Sequence, residues 1–181
     1  MEFIRTDIEG LVLIKPKIFS DNRGYFFESF SQREFENNVS DTIFVQDNES
    51  YSKYGVLRGL HFQKGPYAQA KLVRVVKGNI LDVVVDIRPE SPTFLKHYSV
   101  ELSDYNKMML YIPRGFAHGF VVLSEDAIFQ YKCDNYYHPD SEGAIRWDDP
   151  LLGIDWILDD KDLILSDKDK MSPFSKDCFE L

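Results

Sequence analysis

Five polar side chains able to bind or transform an anionic ligand are concentrated in residues 55–78, the segment GVLRGLHFQKGPYAQAKLVRVVKG. They are Arg58, His61, Gln63, Lys71 and Arg74, and they stand between short apolar runs. Burying such groups without partners is costly, so a strand region built only for packing rarely carries so many of them. Alternate residues of a strand in a small barrel point inward. We therefore expect this segment to form the inner wall of a small β-barrel that faces a ligand.

The chemistry that these residue types favour is proton transfer next to a carbonyl group. An imidazole titrates near neutral pH and serves as a general base, and a neighbouring ammonium group stabilises a developing enolate oxygen. A single histidine is more often a structural group than a catalytic one. The grouping of His61 with Arg58, Lys71 and Arg74 favours the catalytic interpretation.

A second histidine, His118 in PRGFAHGF, makes the pattern similar to that of the cupins, which are small double-sheet β-barrels. Metal-binding cupins present two histidines one residue apart, then an acidic ligand, then a third histidine after a P-x-G-x-x-H turn. His118 keeps the last feature, but Gln63 replaces the second histidine and Lys71 replaces the acid. An ammonium group has no lone pair and repels a cation. We therefore expect neither a bound metal nor a metal-dependent oxygenase.

The elements that must position these groups are many short strands at intervals of about ten residues, a pattern typical of an all-β sandwich or barrel. After a turn at residues 77–79, Leu81, Val83, Val85 and Ile87 alternate with Asp82, Val84 and Asp86, which predicts a strand with two distinct faces. Further strands are predicted in segments 11–18, 25–30, 97–103 and 127–137, and segment 108–124 predicts two strands joined by a Pro-Gly turn. Segment 31–39 predicts a short helix capped by Ser31, with Glu34 three positions later. Residues 164–174 predict an irregular tail.

Composition narrows the class of protein. With 181 residues, 44% of them hydrophobic, the chain is expected to form one domain over residues 1–181 with its own core. A net charge of −9 disfavours nucleic acid as a partner but permits a small anion in a cleft lined by arginines. Two cysteines in no paired spacing, and the absence of a signal-like or membrane-length apolar run, favour a cytoplasmic protein that contacts no membrane.

Six segments, taken together and in order, resemble the dTDP-4-dehydrorhamnose 3,5-epimerase family. They are FSDNRGYFFESF, FVQDNESYSKYGVLRGLHFQ, QAKLVRVVKGNILDVVVDIR, YIPRGFAHGFVVLSE, YKCDNYYHPDSEGAIRWDDP and ILSDKD, and they extend from about Phe19 to Asp169. The resemblance implies an all-β fold, a cupin-type double-stranded β-helix or jelly-roll barrel with a few short helices. It also implies a homodimer in which an N-terminal strand crosses to the partner.

The resemblance assigns four catalytic residues. His61 matches the catalytic base, Asp169 the carboxylate that pairs with it, Tyr131 the general acid on the opposite face, and Lys71 the lysine near the keto oxygen. Taken from the residue alone, Tyr131 is more readily interpreted as a core tyrosine. Asp167 is an alternative to Asp169 if the tail shifts by two residues.

The resemblance also assigns ten substrate-binding residues. The nucleotide contacts are assigned to Tyr137, which stacks on thymine, and to five residues earlier in the chain: Arg23, Phe26, Glu28, Gln46 and Asn48. Diphosphate and sugar contacts fall to Arg58 and His118. Some of the nucleotide contacts are expected to act across the dimer. The full set is Arg23, Phe26, Glu28, Gln46, Asn48, Arg58, His118, Tyr137, Glu142 and Lys168. From the pattern alone, Gln46 and Asn48 fit the polar face of an edge strand equally well.

The function implied by the resemblance is inversion at C3 and C5 of a dTDP-linked 4-keto-6-deoxyhexose without a cofactor, in dTDP-L-rhamnose synthesis. The ketone acidifies both carbons and serves as the electron sink. Two alternatives remain open at this point. One is an epimerase acting at a single centre, and the other is a non-catalytic cupin that binds a nucleotide sugar.

Overall fold

The computed structural model describes residues 1–179, in which thirteen strands account for most of the regular structure. In chain order these strands are β1 (Glu2–Arg5), β2 (Val12–Lys15), β3 (Phe19–Asp21), β4 (Gly24–Phe26), β5 (Gln46–Lys53), β6 (Leu57–Gln63), β7 (Lys71–Lys77), β8 (Asn79–Asp86), β9 (His97–Ser103), β10 (Met109–Ile112), β11 (Phe116–Val122), β12 (Asp126–Cys133) and β13 (Glu142–Ala144).

The strands form two antiparallel sheets and one separate hairpin. The first sheet has the order β1-β2-β10-β7-β12-β5, the second has the order β13-β6-β11-β8-β9, and β3 pairs only with β4. Neighbours in each sheet are mostly distant in sequence, which is the arrangement of a double-sheet jelly roll. The expected cupin-type all-β fold is confirmed.

The main core lies between the two sheets. On β8, Ile80 and Val84 face this interior, whereas Leu81, Val83 and Val85 face the outside of the second sheet. The alternation predicted for this strand is therefore correct. Both faces of the strand are buried, because segments from the C-terminal third of the chain, including Trp156, cover the outer side.

The outer face of the first sheet is covered by the helix α1 (Gln32–Asn38) and the segment that follows it. Phe35 of α1 packs edge-on against Tyr111 of β10, with ring centroids 5.1 Å apart. The N-cap is confirmed: Ser31 Oγ accepts a hydrogen bond from the Glu34 amide at 3.4 Å.

Two expectations about the ends of the chain are wrong. The strand predicted at 25–30 stops at Phe26, because its only partner is the three-residue β3. The tail is not wholly irregular. It contains the helices α2 (Asp167–Lys170) and α3 (Ser175–Phe179), and α2 begins at Ser166, whose side chain accepts from the Asp169 amide at 3.1 Å. The spacing Ser166-x-x-Asp169 is a helix-start signal that could have predicted α2.

Candidate active site

A cavity of about 270 Å³ opens between the two sheets, and seven of the fourteen residues proposed as catalytic or binding groups line it. Residues of both sheets and of the loops at one end of the barrel contribute. The lining consists of Gln46, Asn48, His61, Phe62, Gln63, Gln69, Lys71, Tyr131, Tyr137 and Glu142. The cavity therefore brings together segments spread over almost one hundred residues of sequence.

His61 enters the cavity from β6 because that strand is irregular. Arg58 stands opposite Phe120 and His61 opposite His118, so three steps along β6 match two along β11. An extra residue of this kind reverses the facing of every side chain beyond it. Gly59 occupies the irregularity with φ +139°, and a Cβ there would lie 2.5 Å from the Cα of Gly119. The bulge is what places Arg58 and His61 on one face.

His61 is paired with a buried carboxylate. Its Nε2 lies 2.6 Å from Asp169 Oδ1, and the Asp169 side chain is only 5% exposed against 37% for His61. Burial alone would raise the pKa of Asp169, but hydrogen bonds from His61, Ser166 and the Gly59 backbone outweigh it and lower that pKa. Asp169 is thus held as an anion next to the imidazole, where it stabilises an imidazolium formed by proton uptake. Asp167, the alternative partner, has a 98% exposed side chain on α2.

Tyr131 and Lys71 lie on the wall formed by the other sheet. They belong to the adjacent strands β12 and β7, and the Lys71 Nζ lies 5.7 Å from the centroid of the Tyr131 ring. Burial raises the pKa of Tyr131, with a smaller contribution from Cys133 and an opposing one from Arg58. The phenol is consequently protonated at neutral pH and can donate. Burial lowers the pKa of Lys71, which makes its proton easier to share with an anionic oxygen.

A second histidine–carboxylate pair lies deeper in the barrel. His118 Nε2 is 2.9 Å from Asp82 Oδ2, and both residues are buried. Burial lowers the pKa of His118 in spite of Asp82, which opposes the shift. The strand pattern predicts only the face on which Asp82 lies, although an acid at a buried strand position signals a buried partner such as His118. His118 stands directly opposite His61 in the strand register, so the second pair adjoins the first.

The remaining binding candidates surround the mouth of the cavity. Gln46 and Asn48 project from the edge strand β5 into it, and Gln46 Nε2 donates to Asn48 Oδ1 at 3.0 Å. Lys168 Nζ contacts Glu142 Oε2 at 2.5 Å, and this bond is the main cause that lowers the pKa of Glu142. Arg58 Nε donates to Ser52 Oγ at 3.1 Å, which joins the two sheets at this end.

Three of the residues assigned to nucleotide binding do not reach the cavity of their own chain. Arg23 lies at the tip of the β3–β4 hairpin with its side chain 85% exposed, and it pairs with Asp21 at 2.6 Å. Phe26 in the same hairpin is 70% exposed. Glu28 lines a separate surface depression with Arg33. All three residues therefore lie apart from the cavity.

The expected grouping of Arg74 with His61 is wrong. Within β7, Lys71 and Val73 face the interior, so Arg74, three positions after Lys71, faces outward. Its Nε donates to Gln130 at 3.4 Å on the outer surface of the first sheet. In a regular strand, residues three positions apart lie on opposite faces. The bulge in β6 places two such residues on one face, whereas β7 is regular between Lys71 and Arg74.

Two further residues, Ser166 and Gln69, contact groups of the site. Ser166 Oγ donates to Asp169 Oδ2 at 2.6 Å and so fixes the second oxygen of the carboxylate. Gln69 lines the cavity and donates from Nε2 to the Asn135 carbonyl at 2.8 Å. The Ser-x-x-Asp pattern could have revealed Ser166, whereas no signal in the sequence distinguished Gln69.

The described part of the chain, residues 1–179, contains no group of three or more His, Cys, Asp or Glu side chains arranged to hold a metal ion. Within the same residues, no helix has the length and apolar character needed to cross a membrane.

The fold and the site together define a class of protein, a cupin-type jelly-roll enzyme with a histidine–carboxylate pair facing a tyrosine. The family model described as dTDP-4-dehydrorhamnose 3,5-epimerase matches residues 5–177. The dTDP-4-dehydrorhamnose 3,5-epimerase of Escherichia coli K12 is 54% identical over 171 residues, which are 94% of this chain and 92% of the relative. This chain therefore belongs to the dTDP-4-dehydrorhamnose 3,5-epimerase family, whose members are isomerases.

Two solved structures extend the comparison. The dTDP-6-deoxy-D-glucose-3,5-epimerase of Legionella pneumophila, in complex with dTDP-4-keto-L-rhamnose, is 49% identical with a TM-score of 0.92, covering 96% of this chain and 92% of that one. A 3'-monoepimerase of Streptomyces bikiniensis in complex with dTDP-quinovose is 36% identical with a TM-score of 0.90, covering 97% and 90%. The fold is thus shared by double- and single-centre enzymes, while the identity is higher to the former.

Proposed function

We propose that this chain converts dTDP-4-dehydro-6-deoxy-D-glucose to dTDP-4-dehydro-L-rhamnose by inverting C3 and C5, in the synthesis of dTDP-L-rhamnose. The observation that carries the proposal is the placement of His61 and Tyr131 on opposite walls of one cavity. Inversion requires that a proton leave one face of the sugar ring and that another arrive on the other face. A base and an acid on facing sheets meet this requirement.

In the proposed mechanism, His61 takes the proton from the carbon next to the C4 ketone, and the electron pair of the C–H bond moves onto the ketone oxygen. Asp169 stabilises the imidazolium that results. Lys71 stabilises the enolate oxygen. Tyr131 then donates its proton to the opposite face of the carbon, and the ketone reforms. Before the second carbon reacts, His61 loses its proton to solvent and Tyr131 takes one up from solvent. The ketone accepts and returns the electron pair, so the reaction needs no cofactor.

The residues around the mouth of the cavity are proposed to hold the dTDP part of the substrate. Arg58 is proposed to contact the diphosphate, since guanidinium groups bind phosphate oxygens in pairs. His118, which lies deeper in the barrel, is proposed to contact the sugar. Tyr137 is 53% exposed and offers a ring face for thymine. Gln46, Asn48, Glu142 and Lys168 complete the set on the same side. The L. pneumophila relative, solved with a dTDP-linked ketosugar, supports this choice of ligand.

We propose that the active form is a homodimer in which the β3–β4 hairpin contributes Arg23, Phe26 and Glu28 to the partner's cavity. Within residues 1–179 the hairpin pairs with neither sheet, and it exposes Phe19 (54%), Tyr25 (59%) and Phe26 (70%). Exposed aromatic groups of this kind are typical of an interaction surface. The strand β1 pairs with β2 of the same chain, so the hairpin is the N-terminal segment proposed to cross.

Two further proposals concern organisation and location. The chain is proposed to be one domain over residues 1–181, since the family model extends over residues 5–177. A cytoplasmic location is proposed because Cys133 and Cys178 are free thiols, which fits a reducing compartment.

The test is incubation of the protein with dTDP-4-keto-6-deoxyglucose in heavy water, followed by NMR of the sugar protons. Deuterium at both C3 and C5 with inverted configuration is the expected result. Deuterium at one carbon only would assign the chain to the single-centre type represented by the S. bikiniensis relative. Binding of the substrate without any exchange would leave a nucleotide-sugar-binding protein and overturn the proposal.

A further inference from the structure

Gln63 ends the strand β6 two residues after His61, in the position where a metal-binding cupin carries its second histidine. It has no part in the proton transfers described above. We propose that Gln63 is a positioning residue whose carboxamide fixes the two loops that present Tyr137 to the base of a nucleoside diphosphate. This inference rests on the proposed function, because it concerns the nucleotide-binding part of the same site.

The carboxamide of Gln63 is bonded to both loops at once. Its Nε2 donates to the carbonyl of Tyr67 at 2.8 Å in the first loop, residues 64–70, and to the carbonyl of Tyr136 at 3.4 Å in the second loop, residues 134–141. Its Oε1 accepts from the His138 amide at 2.7 Å in the second loop. Two carbonyls and one amide around the group admit only this orientation of the carboxamide. Three of its four bonding positions are therefore in use.

The two loops also contact each other directly. The rings of Tyr67 and His138 stack with centroids 3.8 Å apart, and Asn135 Nδ2 donates to the Pro66 carbonyl at 3.0 Å. The loops consequently behave as one unit. Gln63 attaches that unit to a barrel strand, because its backbone belongs to β6 and pairs with Glu142 of β13.

Tyr137 lies between the two residues whose backbones Gln63 holds. Its own amide donates to Gln46 Oε1 at 3.3 Å, so Gln46 and Gln63 together hold three consecutive residues, Tyr136 to His138. The Tyr137 ring itself is half exposed and borders the cavity. A half-exposed ring that is held through its backbone can stack on a planar base without the cost of ordering a loop.

The chemistry of the carboxamide explains why glutamine suits this position. A neutral imidazole has one donor and one acceptor, so a histidine could not serve two carbonyls and an amide. A glutamate would keep the acceptor for the His138 amide but would set a carboxylate against the carbonyls of Tyr67 and Tyr136. The residue that departs from the metal-binding pattern is therefore the one that shapes the nucleotide-binding loops.

The test is a double-mutant cycle on binding of dTDP, measured by calorimetry with Gln63→Ala, Tyr137→Ala and the double variant. Gln63→Ala is expected to weaken dTDP binding about tenfold, the effect of losing one or two hydrogen bonds that position a contact. In the Tyr137→Ala background the same change should cost less than about twofold, since the contact it supports is gone. The kcat at saturating substrate should stay within about threefold of the parent, so that the loss falls on KM.

Two further variants keep the test informative if Gln63→Ala perturbs folding. Gln63→Glu preserves the size of the side chain and should weaken dTDP binding to a similar extent while the protein still folds cooperatively. Gln32→Ala is the matched control, because Gln32 also bridges two segments, bonding Glu36 and the Thr42 carbonyl, but on α1. It should bind dTDP as the parent does.

An equal loss in both backgrounds, or no loss in either, would overturn the role of Gln63. If the parent binds dTDP and epimerises its sugar while Gln63 proves irrelevant, the proposed function survives and this inference fails. A parent that does not bind dTDP overturns both.

Discussion

His61 Nε2 and Asp169 Oδ1 lie 2.6 Å apart although 108 positions separate the two residues in the sequence. The helix α2 brings them together, since Ser166 both caps that helix and bonds the second carboxylate oxygen of Asp169. The buried carboxylate is thereby fixed in its ionised form against a partly exposed imidazole. A positive charge formed on the imidazole by proton uptake would therefore lie next to a carboxylate that is already ionised and held in place.

Asp169→Asn tests this relationship. The variant keeps the shape of the side chain but removes the charge, and we expect kcat to fall by about 10²–10⁴-fold. Asp167→Asn is the matched control, because that side chain is 98% exposed and reaches only Lys170, at 3.8 Å. Steady-state kinetics on the dTDP-ketosugar measures both. A parent-like rate for Asp169→Asn would remove the pair from the mechanism.

Tyr131→Phe separates abstraction of a proton from its delivery. Loss of the hydroxyl should lower inversion by about 10²–10⁴-fold, whereas exchange of substrate hydrogen with heavy water should persist to a greater extent. His61→Asn should abolish both. NMR of the sugar protons follows exchange and inversion in one sample. Inversion by Tyr131→Phe at the parent rate would make the tyrosine a packing residue, and rapid exchange in His61→Asn would contradict the assignment of the base.

Mixed dimers test the contribution of the β3–β4 hairpin across subunits. Arg23→Ala and His61→Asn should each impair activity. The Arg23→Ala chain keeps an intact cavity, and the His61→Asn chain keeps an intact hairpin. If Arg23 acts in trans, a mixed dimer contains one complete site and should recover up to about a quarter to a half of the parent activity, depending on the fraction of mixed dimers formed. Recovery is measured after mixing and refolding. Activity that does not rise above the average of the two variants would place Arg23 outside the partner's site.

Chelation tests whether the chemistry is independent of metal ions. The Gln63 carboxamide is bonded to three backbone groups, and Lys71 offers an ammonium group where a metal-binding cupin has a carboxylate. Neither is available as a metal ligand. We expect full activity after exhaustive treatment with a chelator. Activity that disappears on chelation and returns with iron, manganese or zinc would contradict this expectation.

Asp86 lies away from the candidate active site, and we expect its ionisation to make the free energy of unfolding depend on pH. Burial alone would raise its pKa, but hydrogen bonds from Arg88, Ser91 and Thr93 lower it from 3.8 to about 2. A folded-state pKa below the unfolded value stabilises the protein fully above pH 3.8, and the contribution is lost as the pH falls toward 2. Its size is about 2 kcal/mol.

The variant Asp86→Asn should therefore unfold about 2 kcal/mol more easily at pH 7 and approach the parent near pH 2. Denaturant titrations across this range measure the difference. Asp159→Asn is the control, since its ion pair with Lys161 is about three-quarters exposed, and we expect a change below about 0.5 kcal/mol. A constant difference at all pH values would show that Asp86 acts through packing alone.

The sequence by itself determined the fold class, because strand alternation and turn residues are local signals. The β8 pattern of Leu81, Val83 and Val85 and the Ser31 cap were both readable in this way. Motifs in order also identified the family and the residue types of the site.

Only the tertiary structure decided which residues share a face and which carboxylate bonds His61. Arg58 and His61 lie on the same face of β6 because that strand carries a bulge, whereas Arg74, at the same spacing from Lys71, lies on the opposite face of β7. Asp169 and Asp167 are the same residue type, two positions apart on one short helix. Asp169 is buried against His61, whereas the Asp167 side chain lies in solvent. Such choices depend on strand register and on packing between distant segments, which no local pattern encodes.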